Sequence, residues 1–216
     1  MKVALIGASG FVGSKIMVEL LNRGHEVTGL VRNPEKITLT NEHLTLKQVD
    51  VSDKATLAEA LVGADAVISS FNPGWTNPNL YNDHLEGSKD IQEAVTASGV
   101  KRLIVIGGAG SLEIDGQQLV DGPDFPANIK PGATAARDYY NLLKEEKELD
   151  WTFFSPAIEM HEGGASGRIG KFRLGKDNPV FNEQGRSILS PEDVAVAVVD
   201  ELEQNKHIKA RFTAAY

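Results

Sequence analysis

The chain has 216 residues, 41% of them hydrophobic and 24% charged, which suits a single domain spanning 1–216 with a sizeable core. Its 22 basic and 30 acidic side chains leave a formal charge of −8, which argues against nonspecific nucleic-acid binding, since that needs a basic surface. There is no cysteine, hence no disulfide, thiolate metal site or cysteine nucleophile, and no run near the roughly 18 apolar residues of a membrane span. No signal-peptide pattern opens the chain, so a reducing cytoplasm is the expected setting.

Met1–Ile6 is a short apolar run, long enough for one buried strand. Gly7-Ala8-Ser9-Gly10-Phe11-Val12-Gly13 follows at once, then an amphipathic stretch from Phe11 to Arg23 that stops at Gly24. Strand, glycine-rich turn and helix are the context that a dinucleotide fingerprint needs. Gly7 turns the chain off the strand, Gly10 lets backbone approach a pyrophosphate, and Gly13 lets the helix pack closely. Ser9, Phe11 and Val12 lie in the same turn, where the free N–H groups of the helix start face anionic oxygens.

Residues 25–31 read as strand two and 44–49 as strand three. Ser52 is placed to cap a helix over 53–61. Strand four covers 64–70, a loop with two prolines follows to Asn79, and a long helix runs from Leu80 to Ala97, stopped by Gly99. Strand five is 101–106. Apolar strands alternating with helices indicate a Rossmann-type α/β fold, a doubly wound parallel sheet covered on both faces.

Beyond Ile106 the pattern changes. Gly107–Gly132 is rich in Gly, Pro and Asp and reads as a long loop at the carboxyl end of a strand, where ligands bind in such sheets. A helix over 133–149 and strand six over 151–155 follow. Residues 156–190 read as a small substrate lobe, with a hairpin over Phe172–Phe181. Ser190-Pro191-Glu192-Asp193 starts a last helix to about Gln204, and 211–216 adds a final strand.

The residue closing strand two selects the dinucleotide. An acid there binds the ribose 2′-OH of NAD, whereas an arginine accommodates the 2′-phosphate of NADP. The position carries Arg32, so NADP(H) is expected over NAD(H). Asp50 and Val51 are placed to meet the adenine, and Ser69, Ser70 and Phe71 to line the adenine-ribose side. Asp50 also reads as a turn or cap carboxylate. Gly107 and Gly108, directly after strand five, complete the expected cofactor set.

With these residues in hand the chain resembles the atypical short-chain dehydrogenase/reductases. The likeness is to the single-domain branch described as NAD(P)H-flavin reductases, related to biliverdin-IXβ/flavin reductase. It is carried by the glycine turn, Val31-Arg32-Asn33-Pro34, Asp50-Val51, Phe71-Asn72-Pro73-Gly74-Trp75 and Gly107-Gly108-Ala109-Gly110-Ser111. Asp150 to Ala157 and Gly170-Lys171-Phe172-Arg173 extend it over nearly the whole chain. The resemblance implies a Rossmann fold, a nicotinamide cofactor and hydride transfer but does not fix the substrate; a flavin or similar planar acceptor is the expected one.

Short-chain dehydrogenases commonly use a Tyr-x-x-x-Lys pair, and Tyr140 with Lys144 matches its letters. The pair sits late in its helix, amid Lys144-Glu145-Glu146-Lys147-Glu148, where a packed tyrosine and a solvated lysine are the competing reading. Ser111 is a second candidate polar group near the nicotinamide, or a turn serine. Trp75, Tyr81, Phe125, Phe172 and Phe181 are flat surfaces for an aromatic acceptor or packing residues. His161-Glu162 reads as loop. The five histidines form no metal-binding pair, so no metal is expected, and no nucleophile elbow supports a hydrolase. Two further readings stand beside the reductase: a non-enzymatic NADP(H)-sensing module, and a sugar-nucleotide epimerase or dehydratase. The residues leave the oligomeric state open.

Overall fold

A computed structural model describes residues 1–216. Eight strands form one sheet: β1 (Lys2–Ile6), β2 (Glu26–Val31), β3 (Leu44–Gln48), β4 (Ala66–Ser69), β5 (Arg102–Ile106), β8 (Asp150–Ser155), β9 (Arg173–Gly175) and β10 (Ala210–Ala215). Two more, β6 (Glu113–Ile114) and β7 (Gln117–Gln118), make a separate small hairpin. The order across the sheet is β3-β2-β1-β4-β5-β8-β10-β9, and every pairing is parallel except that of β9 with β10. The strand order reverses between β1 and β4, the switch point at which a crevice opens in doubly wound sheets. The expected Rossmann-type fold is therefore the one found.

Alternation along the strands explains the two cores. Val3 and Leu5 of β1 face α1 (Gly13–Asn22) and α5 (Pro191–Gln204), beside Ile16, Leu20, Val194 and Phe212. Ala4 and Ile6 face the layer of α2 (Lys54–Leu61), α3 (Leu80–Ser98) and α4 (Lys130–Leu143), beside Leu57, Ile91 and Phe153. Each large apolar side chain so buried contributes about 1.5–3 kcal/mol relative to exposure. No helix is long and apolar enough to cross a membrane.

Local chemistry sets the helix ends and corrects several expectations. Asp53, not Ser52, caps α2, accepting from Thr56 N at 3.1 Å, while the Ser52 hydroxyl turns to Asp50 at 2.8 Å. Ser190 caps α5 as expected, accepting from Asp193 N at 3.1 Å, with Pro191 in the first turn. The helix α4 starts at Lys130 rather than Ala133, with Pro131 in its first turn, and ends at Leu143 rather than Leu149. The following run offers no apolar residue to bury until Leu149, and the Glu146 carboxylate accepts from the N–H groups of Glu148 and Leu149.

The stretch from Gly107 is no structureless loop. A 3-10 turn over Ala109–Ser111 leads into the β6–β7 hairpin, and a second covers Leu119–Asp121. The hairpin turns on Asp115-Gly116, with φ of 52° and 79°, the positive pair a tight two-residue turn requires. Phe172–Phe181 does not pair with itself: β9 adds instead to the edge of β10, Leu174 opposite Ala214.

Candidate functional site

A cleft of about 1700 Å³ runs along the carboxyl ends of the central strands. It exceeds the roughly 300–1,000 Å³ of a pocket for one drug-sized ligand, so a dinucleotide and a second molecule fit together.

The glycine turn forms one wall, with Gly7, Ser9, Gly10, Phe11 and Val12 lining it. Gly7 has φ of 78°, and a Cβ there would sit 2.5 Å from the Ser70 carbonyl oxygen, so β1 and β4 meet only because it is glycine. Gly13 does not line the cleft; a Cβ on it would stand 2.1 Å from the Gly7 carbonyl oxygen. Its task is to let α1 close onto the turn. The N–H groups of Phe11 and Val12 find no partner within the chain, whereas Ser14 N bonds Gly10 O at 2.9 Å. Free donors at a helix start, beside a glycine without a side chain, fit a pyrophosphate.

Arg32, Asp50 and Val51 line the cleft at the ends of β2 and β3, and Ser70 and Phe71 line it after β4. Arg32 is exposed and its guanidinium makes no ion pair. Asp50 accepts from Ser52 N at 3.0 Å and Ser52 Oγ at 2.8 Å. These bonds, with Arg32 as a lesser influence, hold its carboxyl below the ordinary value. Asp50 is thus the turn carboxylate and still presents an edge to the cleft. Ser69 is buried inside β4 and does not reach it.

Gly107 and Gly108 line the far side. A Cβ on Gly107 would fall 1.9 Å from the Phe153 ring, so only glycine passes here. Beyond it lie Trp75, Phe125, Ile158, Met160, His161 and Glu162. Of the five aromatic candidates, Trp75 and Phe125 line the cleft. Tyr81 bonds Asp138 at 2.8 Å, Phe172 packs against the core, and Phe181 is exposed elsewhere.

The remaining candidates lie outside the cleft. Ser111 is 1% exposed, and Arg211 Nη1 donates to its carbonyl at 2.8 Å and its hydroxyl at 3.0 Å. It clamps the first 3-10 turn to β10 instead of facing a ligand. Tyr140 packs on Phe153, ring centroids 4.8 Å apart, with the Arg211 guanidinium 4.7 Å over its ring. Burial pushes its hydroxyl pKa up, opposite to what a proton-passing tyrosine needs. Lys144 is exposed, just past the end of α4. The packed tyrosine and solvated lysine are what the structure holds.

Sequence reasoning missed His84, which lines the cleft from α3. It is 8% exposed, and its Nδ1 has no partner. Phe71 meets it edge-on, centroids 6.1 Å apart, and also fills the space a Cβ on Gly87 would take. Burial lowers its pKa to about 4. The His84-x-x-Gly87 spacing on one helix face was the available signal.

Residues 7–205 match the family model described as NAD(P)H-binding. The chain is 36% identical to the uncharacterized protein YwnB of Bacillus subtilis (strain 168), over 99% of this chain and 97% of that one. A candidate epimerase from Bacteroides thetaiotaomicron superimposes with a TM-score of 0.92 at 48% identity, covering 100% of this chain and 96% of that one. A candidate NADH-flavin reductase from Streptococcus pneumoniae does so with a TM-score of 0.86 at 36% identity, covering 100% and 99%. The chain belongs to the NAD(P)H-binding family, and its cofactor is a nicotinamide dinucleotide.

Proposed function

We propose that the protein is an NADPH-dependent reductase that passes a hydride to a flavin or similar planar acceptor. The observation that carries this reading is one continuous cleft, with the glycine turn at one end and the Trp75 and Phe125 wall at the other. Phe11 and Val12 N–H would hold the pyrophosphate, and Arg32 the 2′-phosphate. The bound cofactor supplies a hydride from its nicotinamide ring; with one proton from water, an isoalloxazine ring becomes its dihydro form and NADP⁺ is left. Such a transfer needs the rings held about 3–3.5 Å apart more than it needs a side-chain acid. Without Tyr140 and Lys144 in the cleft, positioning is what this chain contributes.

A charge-assisted hydrogen bond is worth about 1.5–3 kcal/mol, so Arg32 would favour NADPH over NADH by roughly ten- to a hundredfold. The test follows NADPH oxidation by near-ultraviolet absorbance with and without added riboflavin, repeats it with NADH, and repeats both with Arg32→Gln. Flavin-dependent oxidation, faster with NADPH and levelled by the substitution, is the expected result. Tight NADPH binding with no oxidation would instead favour the sensing module.

The candidate epimerase from Bacteroides supplies a second reading, a sugar-nucleotide epimerase or dehydratase. It needs Tyr140 beside the nicotinamide, and the burial of Tyr140 against Phe153 weighs against it. An unchanged rate in Tyr140→Phe would remove it.

A further inference from the structure

We infer that the acceptor end of the cleft takes an uncharged planar ring and turns away the same ring when it carries a phosphate. This rests on the reductase reading and specifies its substrate class.

Arg32 is the one lysine or arginine that lines the cleft. It stands at the end of β2, three places across the sheet from β5 in the order β2-β1-β4-β5. Strands lie about 4.8 Å apart, so Arg32 is roughly 14 Å from the wall that follows β5. That is beyond the ~8 Å over which an exposed charge acts at physiological salt. With the dinucleotide bound, Arg32 would be engaged by its 2′-phosphate as well.

The acceptor end carries the opposite sign. Asp115 and Asp124 line the cleft from the segment that leaves β5, and Glu162 from the segment that leaves β8. None of the three has an ion-pair partner. Lys130, which opens α4, does not line the cleft. Trp75, Phe125, Ile158 and Met160 line the same cleft and offer apolar contact to a ring. A cleft lined by one sign of charge concentrates its field on whatever enters. A phosphate monoester brings about −1.5 to −2 charges at pH 7 and meets no lysine or arginine here, whereas the neutral ring keeps every apolar contact.

The test is a fluorescence titration of riboflavin and of FMN into the protein saturated with NADP⁺. It is run at pH 8, where an ordinary histidine is uncharged, at low salt and again at about 0.5 M salt. Riboflavin is expected to bind about tenfold tighter than FMN at low salt, with the gap narrowing at high salt. The double variant Asp124→Asn, Glu162→Gln is expected to tighten FMN binding several-fold at low salt. Equal or tighter binding of FMN, a gap that neither salt nor the variant alters, or no binding of either flavin would overturn the inference. Selective riboflavin binding without NADPH oxidation would support it and sink the reductase reading. Equal reduction of both flavins would do the reverse.

Discussion

From β1 to β4 the cleft is shaped by backbone, and from β5 onward by side chains. On the first side Gly7 and Gly13 are glycine because the Ser70 and Gly7 carbonyl oxygens leave no space for a Cβ. On the second, irregular segments are tied to helices and to the last strand. The Arg211 guanidinium holds Ser111 at 2.8 Å and Asp177 Oδ1 at 2.5 Å. The buried Asp193 carboxylate accepts from Ile169 N at 3.0 Å and Gly170 N at 2.7 Å. Arg168 bonds both oxygens of Glu19 at 2.9 Å. At the opposite, amino ends of β5 and β8, buried Arg102 meets Glu201 Oε1 at 2.8 Å and Thr152 at 2.8 Å, and His207 Nδ1 lies 2.7 Å from Glu201 Oε2. A cofactor common to many proteins is met by a rigid turn, while the part that meets the acceptor hangs on bonds that single substitutions can change.

The largest effect is expected at Glu201. Glu201→Ala leaves Arg102 buried without its carboxylate, and a loss of about 3–5 kcal/mol is expected in urea unfolding. Since Glu201 lies outside the cleft, NADPH affinity measured on folded protein should hold. A loss below ~1 kcal/mol would mean that the β5, β8 and α5 half of the fold does not depend on this network.

His84 tests the cofactor side through pH. The unfolded histidine titrates near 6.5 and the folded one near 4, so between these values the unfolded chain binds more protons. Stability therefore falls as pH drops through this window, by on the order of 3 kcal/mol in all, and this residue adds no slope above or below it. The His84→Phe variant should lose that much less between pH 7 and pH 4. Identical slopes for the two proteins would show that His84 is hydrated.

Gly13→Ala places a Cβ 2.1 Å from the Gly7 carbonyl oxygen. Overpacking of this kind costs about 1–3 kcal/mol, and NADPH affinity by calorimetry should fall more than about tenfold as the turn opens. Full affinity in a stable variant would deny that backbone shapes this wall. The smallest effect is expected at Arg168→Ala, about 1 kcal/mol or less, because the arginine is half exposed. Here the acceptor KM should rise while NADPH affinity stays constant, and a change in both would join the two sides into one.

The same division explains what could be read in advance. Strands β1 to β5, the glycine turn, Gly99 as the end of α3 and Ser190 as the cap of α5 follow from local pattern, and each lies where its residues predict. Arg32, Asp50, Val51, Ser70, Phe71, Gly107 and Gly108 reach the cleft because strand ends place them there. Ser69, one residue earlier and the last of β4, is buried and does not line the cleft. The failures share a cause. Ser111 and Tyr140 are both claimed by Arg211, a hundred residues from the first in sequence. The partner of β9 is β10, nearly forty residues on, so no local pattern could announce it. The Asp115-Gly116 turn is a local signal, masked by a stretch rich in turn residues.

The anchoring of residues 167–170 at the start of α5 has a consequence for engineering. Ser190 Oγ donates to Gly167 O at 2.7 Å, while Asp193 accepts from the N–H groups of Ile169 and Gly170. At the other end Glu159 N bonds Ser187 O at 2.8 Å. The stretch from Met160 to Ser166 is thus a graft site with both ends already pinned. Doubling the length of such a loop costs only about 0.6 kcal/mol of closure entropy. Libraries of longer or reshaped inserts placed there would vary one lip of the acceptor pocket while leaving the dinucleotide turn untouched, so new acceptors could be selected without rebuilding the protein.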